Sequence, residues 1–582
     1  MEDKNIIKTA KGEFTASEYQ SKIFEEIHHG VKNMVITAAA GSAKTTTIEN
    51  CLRFIPDGKR ILYVAFNIST VNKLKHEITN RPGVEIYTFH GLGARILYEN
   101  RIHGDDIDDF KYPRYLKENI MSLTKFGETA SLGDMEGDYM SNIEKLINYS
   151  RYYLKMTERE ISEVAEIYGI TPKRDEYEVV RKCLIWGKDN HGNIDHTDLI
   201  WLPNVLNLTT RKYIYDYIFI DEAQDMTFAR QGLVDKTFAR GARFIAVGDK
   251  KQQINVWCGA TEESLDTYTK RPNTAVFTLP ISYRIPKVIE PIAQRYSPEI
   301  IVRPDAPQGE MRMNVSANDA RPGDLVLCRM SSNLIELYLE YIRNNMRANL
   351  KGYDAYKKEY LDLIRKFDSK RVDVHCATED GLMPRLYRYF FESVELLGKK
   401  LNIGKDEAFR HPESVILFDK IQAIKILSGG LKTVDELKDK IGCIFTGDKE
   451  NAIVLSTIHK AKGLEAENVF ILAPSLLENP VFAVHDWEIT MERNLAYVAI
   501  TRASKTLNFI KEDEKGFFCN FKKEKLREGI DDIRAKINYY PEEAKIDQSN
   551  ISEIAPEERP KAEAAERKRK KGAMKFVNLM DI

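Results

Sequence analysis

The sequence has little of what marks secreted, membrane-spanning or strongly basic proteins. Seven cysteines are spread from Cys51 to Cys519 over 582 residues without a C-x-x-C pair, which argues against a disulfide framework, a zinc site and an iron–sulfur site. The formal net charge is −1, so any nucleic-acid surface must come from local patterning. No apolar run approaches membrane-spanning length, and the first residues lack a signal-peptide pattern. A reducing interior compartment fits this composition, and the length suits about three or four domains.

One stretch, from Met34 to Thr47, has the layout of a phosphate-binding loop. A short apolar run breaks into Ala-Ala-Ala-Gly-Ser-Ala, and Lys44 and Thr45 then begin a predicted helix. Backbone N–H groups of such a turn point at phosphate oxygens, the Lys adds positive charge, and the hydroxyl holds Mg²⁺. The pattern G-x-x-x-x-G-K-[ST] is not fully met, because Ala stands at both glycine positions. Taken alone, the stretch also fits a buried strand followed by a small-residue turn.

Two further strand predictions end in acidic residues. Tyr217-Ile-Phe-Ile runs directly into Asp221 and Glu222, and Arg243-Phe-Ile-Ala-Val-Gly runs into Asp249, with Gln252 close behind. In open α/β folds the carboxyl ends of the strands meet where ligands bind. Asp221 is therefore a candidate for Mg²⁺, Glu222 for the general base, and Gln252 for contact with the terminal phosphate or the attacking water. An exposed acidic turn is the alternative for the first pair.

Side chains at two other places in the sequence could recognise a nucleotide base. Tyr283 and Arg284 are adjacent, and such a pair can stack on a purine and neutralise phosphate charge. Gln20 lies near the start of a predicted helix whose apolar positions share one face, and its amide is able to read a base edge. For Gln20 by itself, a solvated side chain is the simpler interpretation.

The chain alternates between strand–helix texture and charged, helical segments. The alternating parts predict parallel sheets covered by helices, and the segments 99–210 and 334–445 are predicted to be mainly helical insertions. The last segment is rich in Glu, Lys, Ala and Pro, a composition typical of disorder, although its apolar end suggests a docking peptide for a protein partner.

The landmarks, in their order, resemble the superfamily 1 DNA helicases of the UvrD/Rep/PcrA type. The resemblance covers roughly 14–340 and 446–512, and it depends on about eight blocks that match in order. Asp221-Glu-Ala-Gln-Asp225 matches motif II letter for letter. The other blocks are similar to the family's motifs: Gln20, Gly41–Thr45, Val64–Asn67, Thr88–Leu92, Gly248–Gln252 with Trp257, Ser282–Arg284, Thr457–Glu465 and Tyr497–Ala503.

The resemblance implies an α/β fold with two recombinase-like P-loop motor cores, each carrying a mainly helical insertion. ATP would bind with Mg²⁺ in the cleft between the cores, and single-stranded DNA would cross both. The expected organisation is a first motor core in 1–98 and 211–278 interrupted by the insertion 99–210, a second motor core in 279–333 and 446–540 interrupted by the insertion 334–445, and a disordered charged tail in 541–582.

The resemblance also assigns roles to residues. The catalytic set is Lys44, Glu222, Gln252, Arg284 and Arg502. The metal would be held by Thr45 and Asp221. The nucleotide would be held by Gln20, Ala40, Gly41, Ser42, Ala43, Lys44, Thr45, Thr46, Tyr283 and Glu465. The DNA contacts would be Phe66, Asn67, His90, Trp257 and His459.

The activity implied is an ATP-dependent single-stranded DNA translocase and helicase moving 3′→5′ in replication, repair or recombination. Its place would be the cytoplasm of a bacterial or phage-infected cell, associated with the nucleoid, and its partners single-stranded DNA and duplex junctions. Ala38, Ala43 and Cys258 depart from the family pattern and keep one alternative open, a hydrolysis-defective nucleic-acid-binding regulatory module. The insertion 334–445 is reduced or divergent relative to the family, which keeps a second alternative open, a translocase that remodels nucleoprotein without strong unwinding.

Overall fold

The computed structural model describes most of the chain. The described residues are 5–9, 12–77, 81–102, 107–123, 138–170, 175–256, 259–260, 263–367, 374, 381–401, 403–443, 451–479 and 483–512. Trp257, Cys258 and the segment 541–582 lie outside them, so the predictions for these residues stay predictions.

The chain divides into two compact units, Met1–Arg284 with Ser297–Pro304, and Ile285–Tyr296 with Asp305–Ile582. The strands of the first unit are β1 (Ile6–Thr9), β2 (Gly12–Thr15), β3 (Asn33–Ala38), β4 (Ile61–Ala65), β5 (Val84–Thr88), β6 (Tyr215–Ile220), β7 (Phe238–Gly248), β8 (Thr274–Leu279), β9 (Ile281–Ser282) and β10 (Ile301–Val302). Its helices are α1 (Glu18–His29), α2 (Lys44–Cys51), α3 (Ile68–Glu77), α4 (Phe89–Glu99), α5 (Lys111–Leu123), α6 (Asp138–Tyr153), α7 (Glu158–Ile167), α8 (Glu176–Asp189), α9 (Asp198–Val205), α10 (Phe228–Asp235) and α11 (Ser264–Thr269).

A six-stranded parallel sheet forms the centre of the first unit, in the order β5-β4-β6-β7-β3-β8. Strand β4 is buried at every residue and β6 ends in a buried apolar run, as expected for strands covered on both faces. Helices α1, α2 and α3 pack on one face, and α4, α9, α10 and α11 pack on the other. Because all six strands are parallel, the residues that follow them come together at one edge.

Helices α5 to α8 pack around a hydrophobic core that residues of α4 and α9 complete. Buried charges tie this core together: Lys111 Nζ donates to Asp198 at 2.6 Å, and Arg151 donates to Asp195 at 2.7 Å and to Asp198 at 3.0 Å. Tyr112 adds a further hydrogen bond to Asp198. Because these buried charges depend on one another, removal of one partner from such a network costs about 3–5 kcal/mol.

The second unit repeats the parallel-sheet design. Its strands are β11 (Glu310–Val315), β12 (Leu325–Cys328), β13 (Ala348–Leu350), β14 (Ile453–Thr457), β15 (Ala466–Ile471) and β16 (Ala503–Ile510), in the order β11-β16-β15-β12-β14-β13. All of its strand pairs are parallel. Its helices are α12 (Glu290–Gln294), α13 (Ser331–Arg343), α14 (Tyr353–Arg365), α15 (Leu382–Leu401), α16 (Lys405–Phe409), α17 (Pro412–Ser428), α18 (Val434–Cys443) and α19 (Asp486–Ile500). The predicted fold class, two parallel-sheet α/β cores with helical segments, is confirmed.

The structure differs from the expected organisation at two places. Strand β9 pairs with β10 inside the first unit, and the Tyr283 N–H donates to Gly41 O at 2.8 Å, so the first unit extends to Arg284 and beyond the expected boundary at 279. Strand β13 lies inside the expected insertion 334–445, yet it pairs with β14 of the core sheet. Three residues, Ala-Asn-Leu, are too short a run to signal a strand. In the described part of the chain, no helix combines the length and the apolar character needed to cross a membrane.

Candidate functional site

The phosphate-binding loop connects β3 to α2, as the sequence predicts. Gly41 has φ 72° and Ala43 has φ 58°, both in the left-handed region. Ala43 is the N-cap of α2 and makes no side-chain hydrogen bond there, so the cap leaves first-turn N–H groups for an anion. An L-residue in this conformation costs roughly 1–2 kcal/mol. The loop has therefore kept its strained backbone although Ala replaces the expected glycine.

Gly41 is required by a close neighbour as well as by its backbone. A Cβ at this position would lie 2.6 Å from the Arg284 Cβ and 2.8 Å from the Ser282 hydroxyl. The structure thus places Tyr283 and Arg284 directly beside the loop. In the loop itself, the Ser42 hydroxyl is buried and has no hydrogen-bond partner among the described residues. An unpartnered buried hydroxyl in such a turn fits a phosphate oxygen as its acceptor.

The two carboxylates predicted after β6 lie at the carboxyl edge of the first sheet, where Asp221 is buried and Glu222 is half-buried. Lys44 Nζ lies 3.2 Å from Glu222 Oε1. Burial, together with the neighbouring Glu222 charge, raises the pKa of Asp221 to about 6, although the Lys44 charge opposes the shift. Asp221 Oδ1 accepts the backbone N–H of Glu222 at 2.9 Å, and Oδ2 accepts the Tyr63 hydroxyl at 3.1 Å. Glu222 has φ 52°, a strained backbone of the kind that recurs at functional sites.

Gln224 and Asp249 connect this pair to the end of β7. The Gln224 amide nitrogen donates to Glu222 Oε2, and its oxygen accepts the Asp249 N–H at 3.0 Å. Gln252 Nε2 donates to Asp249 Oδ2 at 2.6 Å, and burial raises the Asp249 pKa. A Cβ at Gly248 would lie 2.5 Å from Gln224 Oε1, so only glycine permits this approach. One hydrogen-bonded chain therefore runs from Lys44 to Gln252.

Gln20 is buried and adjacent to the loop, but its amide is already used. Its Oε1 accepts from the Ser17 N–H at 3.0 Å in a capping box that starts α1, and its Nε2 donates to the Thr47 hydroxyl at 3.0 Å. Tyr283, which is 40 % exposed, donates its hydroxyl to Gln20 Oε1 at 3.4 Å. The structure brings Gln20 and Tyr283 together; whether Gln20 reads a base stays a prediction.

Three of the predicted DNA contacts follow β4 and β5 at the same edge. The half-buried Phe66 ring has the Arg230 guanidinium 4.5 Å from its centroid. Asn67 accepts the Thr70 N–H at 2.8 Å, which is a cap for α3. Burial lowers the pKa of His90 to about 4, with Arg230 and His196 adding to the effect, so His90 is neutral at pH 7.

In the second unit, His459 follows β14 and is also neutral. Burial, together with the Arg329 and Lys460 charges, lowers its pKa to about 3. Arg329 makes a bidentate ion pair with Glu492 of α19, with Nη2 2.8 Å from Oε1. Glu465 is exposed beyond Gly463, which has φ 89°. Its predicted nucleotide contact is not tested by this geometry.

Arg502 follows α19 in the second unit and is almost fully buried. Its Nε donates to Val498 O at 2.9 Å, and Nη1 donates to Leu464 O at 3.3 Å. These bonds join the end of α19 to the turn that carries Glu465. The structure thus shows a structural use of this guanidinium, and its catalytic role stays a prediction.

The donor set at the edge of the first sheet fits a magnesium nucleotide. Among the described residues, no group of three or more His, Cys, Asp and Glu side chains could hold a metal ion. Mg²⁺ normally takes one or two protein oxygens and fills its other positions with water and phosphate. The Thr45 hydroxyl and the Asp221 carboxylate, beside a loop with an unpartnered Ser42 hydroxyl, suit that mode. When bound, the ion would neutralise phosphate charge.

The sequence did not single out Tyr63, and it noted Gln224 only as a motif letter. Tyr63 was one aromatic residue in an apolar strand, and only the pairing of β4 with β6 brings its hydroxyl to Asp221. Gln224 stands two residues after Glu222, and this spacing alone did not predict the hydrogen bond between their side chains.

Two parallel-sheet cores, with a strained phosphate loop and paired acids after the neighbouring strands, define a P-loop nucleoside triphosphatase of the two-core type. Residues 19–273 match the UvrD/REP helicase N-terminal domain, and residues 353–514 match the UvrD-like helicase C-terminal domain. Together the two matches span well over half of the chain. The chain belongs to the UvrD/Rep/PcrA-type superfamily 1 helicases and is an ATP-dependent DNA helicase.

The matches to individual relatives differ in extent. A probable DNA helicase II homolog of Mycoplasma pneumoniae is 22% identical over 595 residues, covering 81% of each chain. The ATP-dependent DNA helicase PcrA of Staphylococcus aureus is 21% identical over 623 residues, covering 81% of this chain and 80% of the relative. PcrA of Bacillus subtilis is 28% identical over 286 residues, covering 44% of this chain and 36% of the relative.

Proposed function

We propose that this helicase hydrolyses ATP with Mg²⁺ to move 3′→5′ along single-stranded DNA and to separate strands at duplex junctions. The observation that carries the proposal is the group formed by Lys44, Asp221 and Glu222 at the end of the loop that holds the unpartnered Ser42 hydroxyl. It supplies a cation, a metal ligand and a base at one sheet edge, which is what phosphoryl transfer to water requires. The direction of movement is proposed from the family resemblance.

Lys44 has a double role in this proposal. In the structure its ammonium is 3.2 Å from Glu222 Oε1. A terminal phosphate competes for the same ammonium, and its arrival would release Oε1 to accept a proton from the attacking water. Gln224 keeps hold of Oε2 through its amide, so the carboxylate would stay aimed while one oxygen becomes available. Gln252 would position the water, and Arg284 and Arg502 would neutralise the charge that develops on the phosphate.

Thr45 and Asp221 would hold the metal, and the backbone of 40–46 would hold the phosphates. Tyr283 would stack on the base, since its ring is partly exposed beside the loop. Gln20 would read the base edge only if its Nε2 gave up the hydrogen bond to the Thr47 hydroxyl and donated to the base instead. Glu465 is proposed as a further nucleotide contact on the strength of its motif.

The DNA contacts proposed from the motifs are Phe66, Asn67, His90, Trp257 and His459. His90 and His459 are neutral at pH 7 because burial depresses the pKa of each. They would therefore contact DNA by stacking or by neutral hydrogen bonds rather than by pairing with phosphate. Phe66 would stack a base on the face that Arg230 does not cover, and stacking of this kind tolerates any base sequence.

The test is the ATPase rate measured with and without single-stranded DNA. We expect strong stimulation by the DNA, and loss of the rate in Glu222→Gln with nucleotide binding retained. The same rate with and without DNA would contradict the proposal. The family suggests that the protein acts in replication, repair or recombination in the cytoplasm. A protein partner that binds the C-terminal tail is also proposed, and this tail lies outside the described residues.

One specific observation supports the rival function, a hydrolysis-defective regulatory module. Ala43 occupies a left-handed backbone position that glycine adopts without strain. If the strain at Ala43 prevents productive binding of ATP, the protein would bind DNA without responding to ATP. Hydrolysis is favoured by the intact, hydrogen-bonded set of Lys44, Asp221, Glu222 and Gln252. A translocase that unwinds weakly would hydrolyse ATP in response to DNA but separate few strands, so the ATPase rate and ATP-dependent strand separation are compared.

A further inference from the structure

Tyr63 is a tyrosine at the centre of an otherwise aliphatic strand. Strand β4 reads Ile-Leu-Tyr-Val-Ala, and all five residues are buried. The phenol oxygen is therefore its only polar side-chain atom. The ring lies parallel to Phe219 of β6, with the centroids 6.1 Å apart, and this stacking directs the hydroxyl toward the end of β6.

The hydroxyl reaches the carboxylate that the proposed function assigns to the metal. It lies 3.1 Å from Asp221 Oδ2. An ionised carboxylate has no proton to give, so the phenol is the donor. The other oxygen, Oδ1, accepts the Glu222 N–H at 2.9 Å. Two donors from separate parts of the chain therefore hold Asp221 in one orientation.

We infer that Tyr63 is a positioning residue for metal binding: its hydroxyl fixes the Asp221 carboxylate in the orientation that receives the magnesium of the bound nucleotide. The inference rests on the proposed role of Asp221 as a metal ligand. Each carboxylate oxygen has more than one acceptor site, so the two hydrogen bonds leave positions for the ion or for its water. Groups that orient metal-binding carboxylates in this way typically change metal affinity by about 10–100-fold when they are removed.

If the phenol has a purely structural role, loss of its hydroxyl is expected to lower the stability of the fold and not to change metal affinity. In that case the ring only packs in the core on the face of the sheet that α1, α2 and α3 cover. Metal affinity measured apart from turnover therefore separates the two roles.

The test compares Tyr63→Phe with Tyr215→Phe. Tyr215 is a buried tyrosine of the same sheet, and its hydroxyl also donates to a carboxylate, Glu85 Oε2, at 3.1 Å. Binding of Mn²⁺ to the complex of the full chain with ADP is measured by electron paramagnetic resonance at about pH 8. ADP affinity is measured separately in EDTA, and thermal unfolding checks that each variant folds.

We expect Tyr63→Phe to weaken Mn²⁺ binding about 10-fold, with metal-free ADP affinity unchanged, and Tyr215→Phe to match the wild type. Tyr63→Met also lacks the donor, and it provides the same comparison if the Phe variant does not fold. Wild-type Mn²⁺ affinity in a folded Tyr63 variant would overturn the inference.

Asp221→Asn separates failure of this inference from failure of the site assignment. If Asp221→Asn loses Mn²⁺ while Tyr63→Phe keeps it, Tyr63 has no positioning role and Asp221 remains the ligand. If both variants bind Mn²⁺ like the wild type, the assignment of Asp221 to the metal fails, and the inference fails with it.

Discussion

The Lys44 ammonium lies 3.2 Å from Oε1 of Glu222, although 178 residues separate the two in the chain. Lys44 begins the helix after β3, and Glu222 follows β6. In a parallel sheet both strands end at the same edge, which is why the pair forms. The proposed cation and the proposed base of the reaction are thus already in contact.

Replacing either partner should abolish hydrolysis by a different route. Glu222→Gln keeps the shape and removes the base, so kcat should fall about 10²–10⁴-fold while nucleotide still binds. Lys44→Ala removes the charge beside the phosphate, and it should weaken nucleotide binding as well as turnover. Steady-state ATPase and binding of a fluorescent ADP measure both effects. Turnover near the wild-type rate in Glu222→Gln would show that another group is the base.

Ala43→Gly should stabilise the loop, because Ala43 has φ 58° and glycine adopts this conformation freely. The expected gain is about 1 kcal/mol in the free energy of unfolding, with equal or tighter ADP binding. Ala38→Gly is the matched control, since Ala38 lies in strand β3 and glycine there should destabilise by about 0.5–1 kcal/mol. Denaturant unfolding measures both. Equal losses in the two variants would show that Ala43 is not strained.

Gly41→Ala should be far more harmful than Gly58→Ala. Both glycines have positive φ, 72° and 80°, so both variants bear the same backbone cost of roughly 1–2 kcal/mol. At Gly58 a Cβ meets nothing within 4 Å, whereas at Gly41 it meets the Arg284 Cβ at 2.6 Å. The added overpacking should cost about 1–3 kcal/mol more and displace Arg284. Thermal unfolding and ADP affinity provide the comparison, and two variants that behave alike would contradict the close contact.

Stability should fall as the pH drops from 7.5 to 5.5, in part because of His459. Its pKa is about 3 in the folded chain, whereas an unfolded histidine takes a proton near pH 6.5. Below 6.5 the unfolded state therefore binds the additional proton, and the folded state loses roughly 1 kcal/mol relative to it at pH 5.5. His459→Gln removes this contribution and should flatten the dependence measured by urea unfolding. An unchanged slope would mean that His459 takes its proton in the folded chain as readily as in the unfolded one.

The sequence predicted the fold class and the proximity of Lys44, Asp221, Glu222 and Gln252 because both depend on strand ends. Lys44, Asp221, Glu222 and Gln252 all stand just after buried apolar runs, a pattern that the parallel sheet turns into proximity. The hydrogen bond of Tyr63 to Asp221 could not be predicted, because it depends on the pairing of two strands that are distant in the sequence. The conformation of Ala43 was equally hidden, since the residue type alone would suggest negative φ.

The unanticipated strands were those with weak local signals. Strand β11 is mostly exposed and carries Glu, Arg and Asn, and β13 has three residues, so neither shows a buried run. Both join the second sheet through tertiary pairing. The hydrogen bond from Gln20 to Thr47 was also hidden, because it connects α1 to α2 across 27 residues.

The most direct test of the account is strand displacement on duplexes that carry either a 3′ or a 5′ single-stranded tail, with ATP and Mg²⁺. Glu222→Gln, which should still bind nucleotide, is the control for hydrolysis. We predict separation of the 3′-tailed duplex by the wild type, little separation of the 5′-tailed duplex, and none with the variant. Preference for the 5′ tail would contradict the proposed direction, and equal separation with the Glu222→Gln variant would contradict the claim that ATP hydrolysis drives the motor.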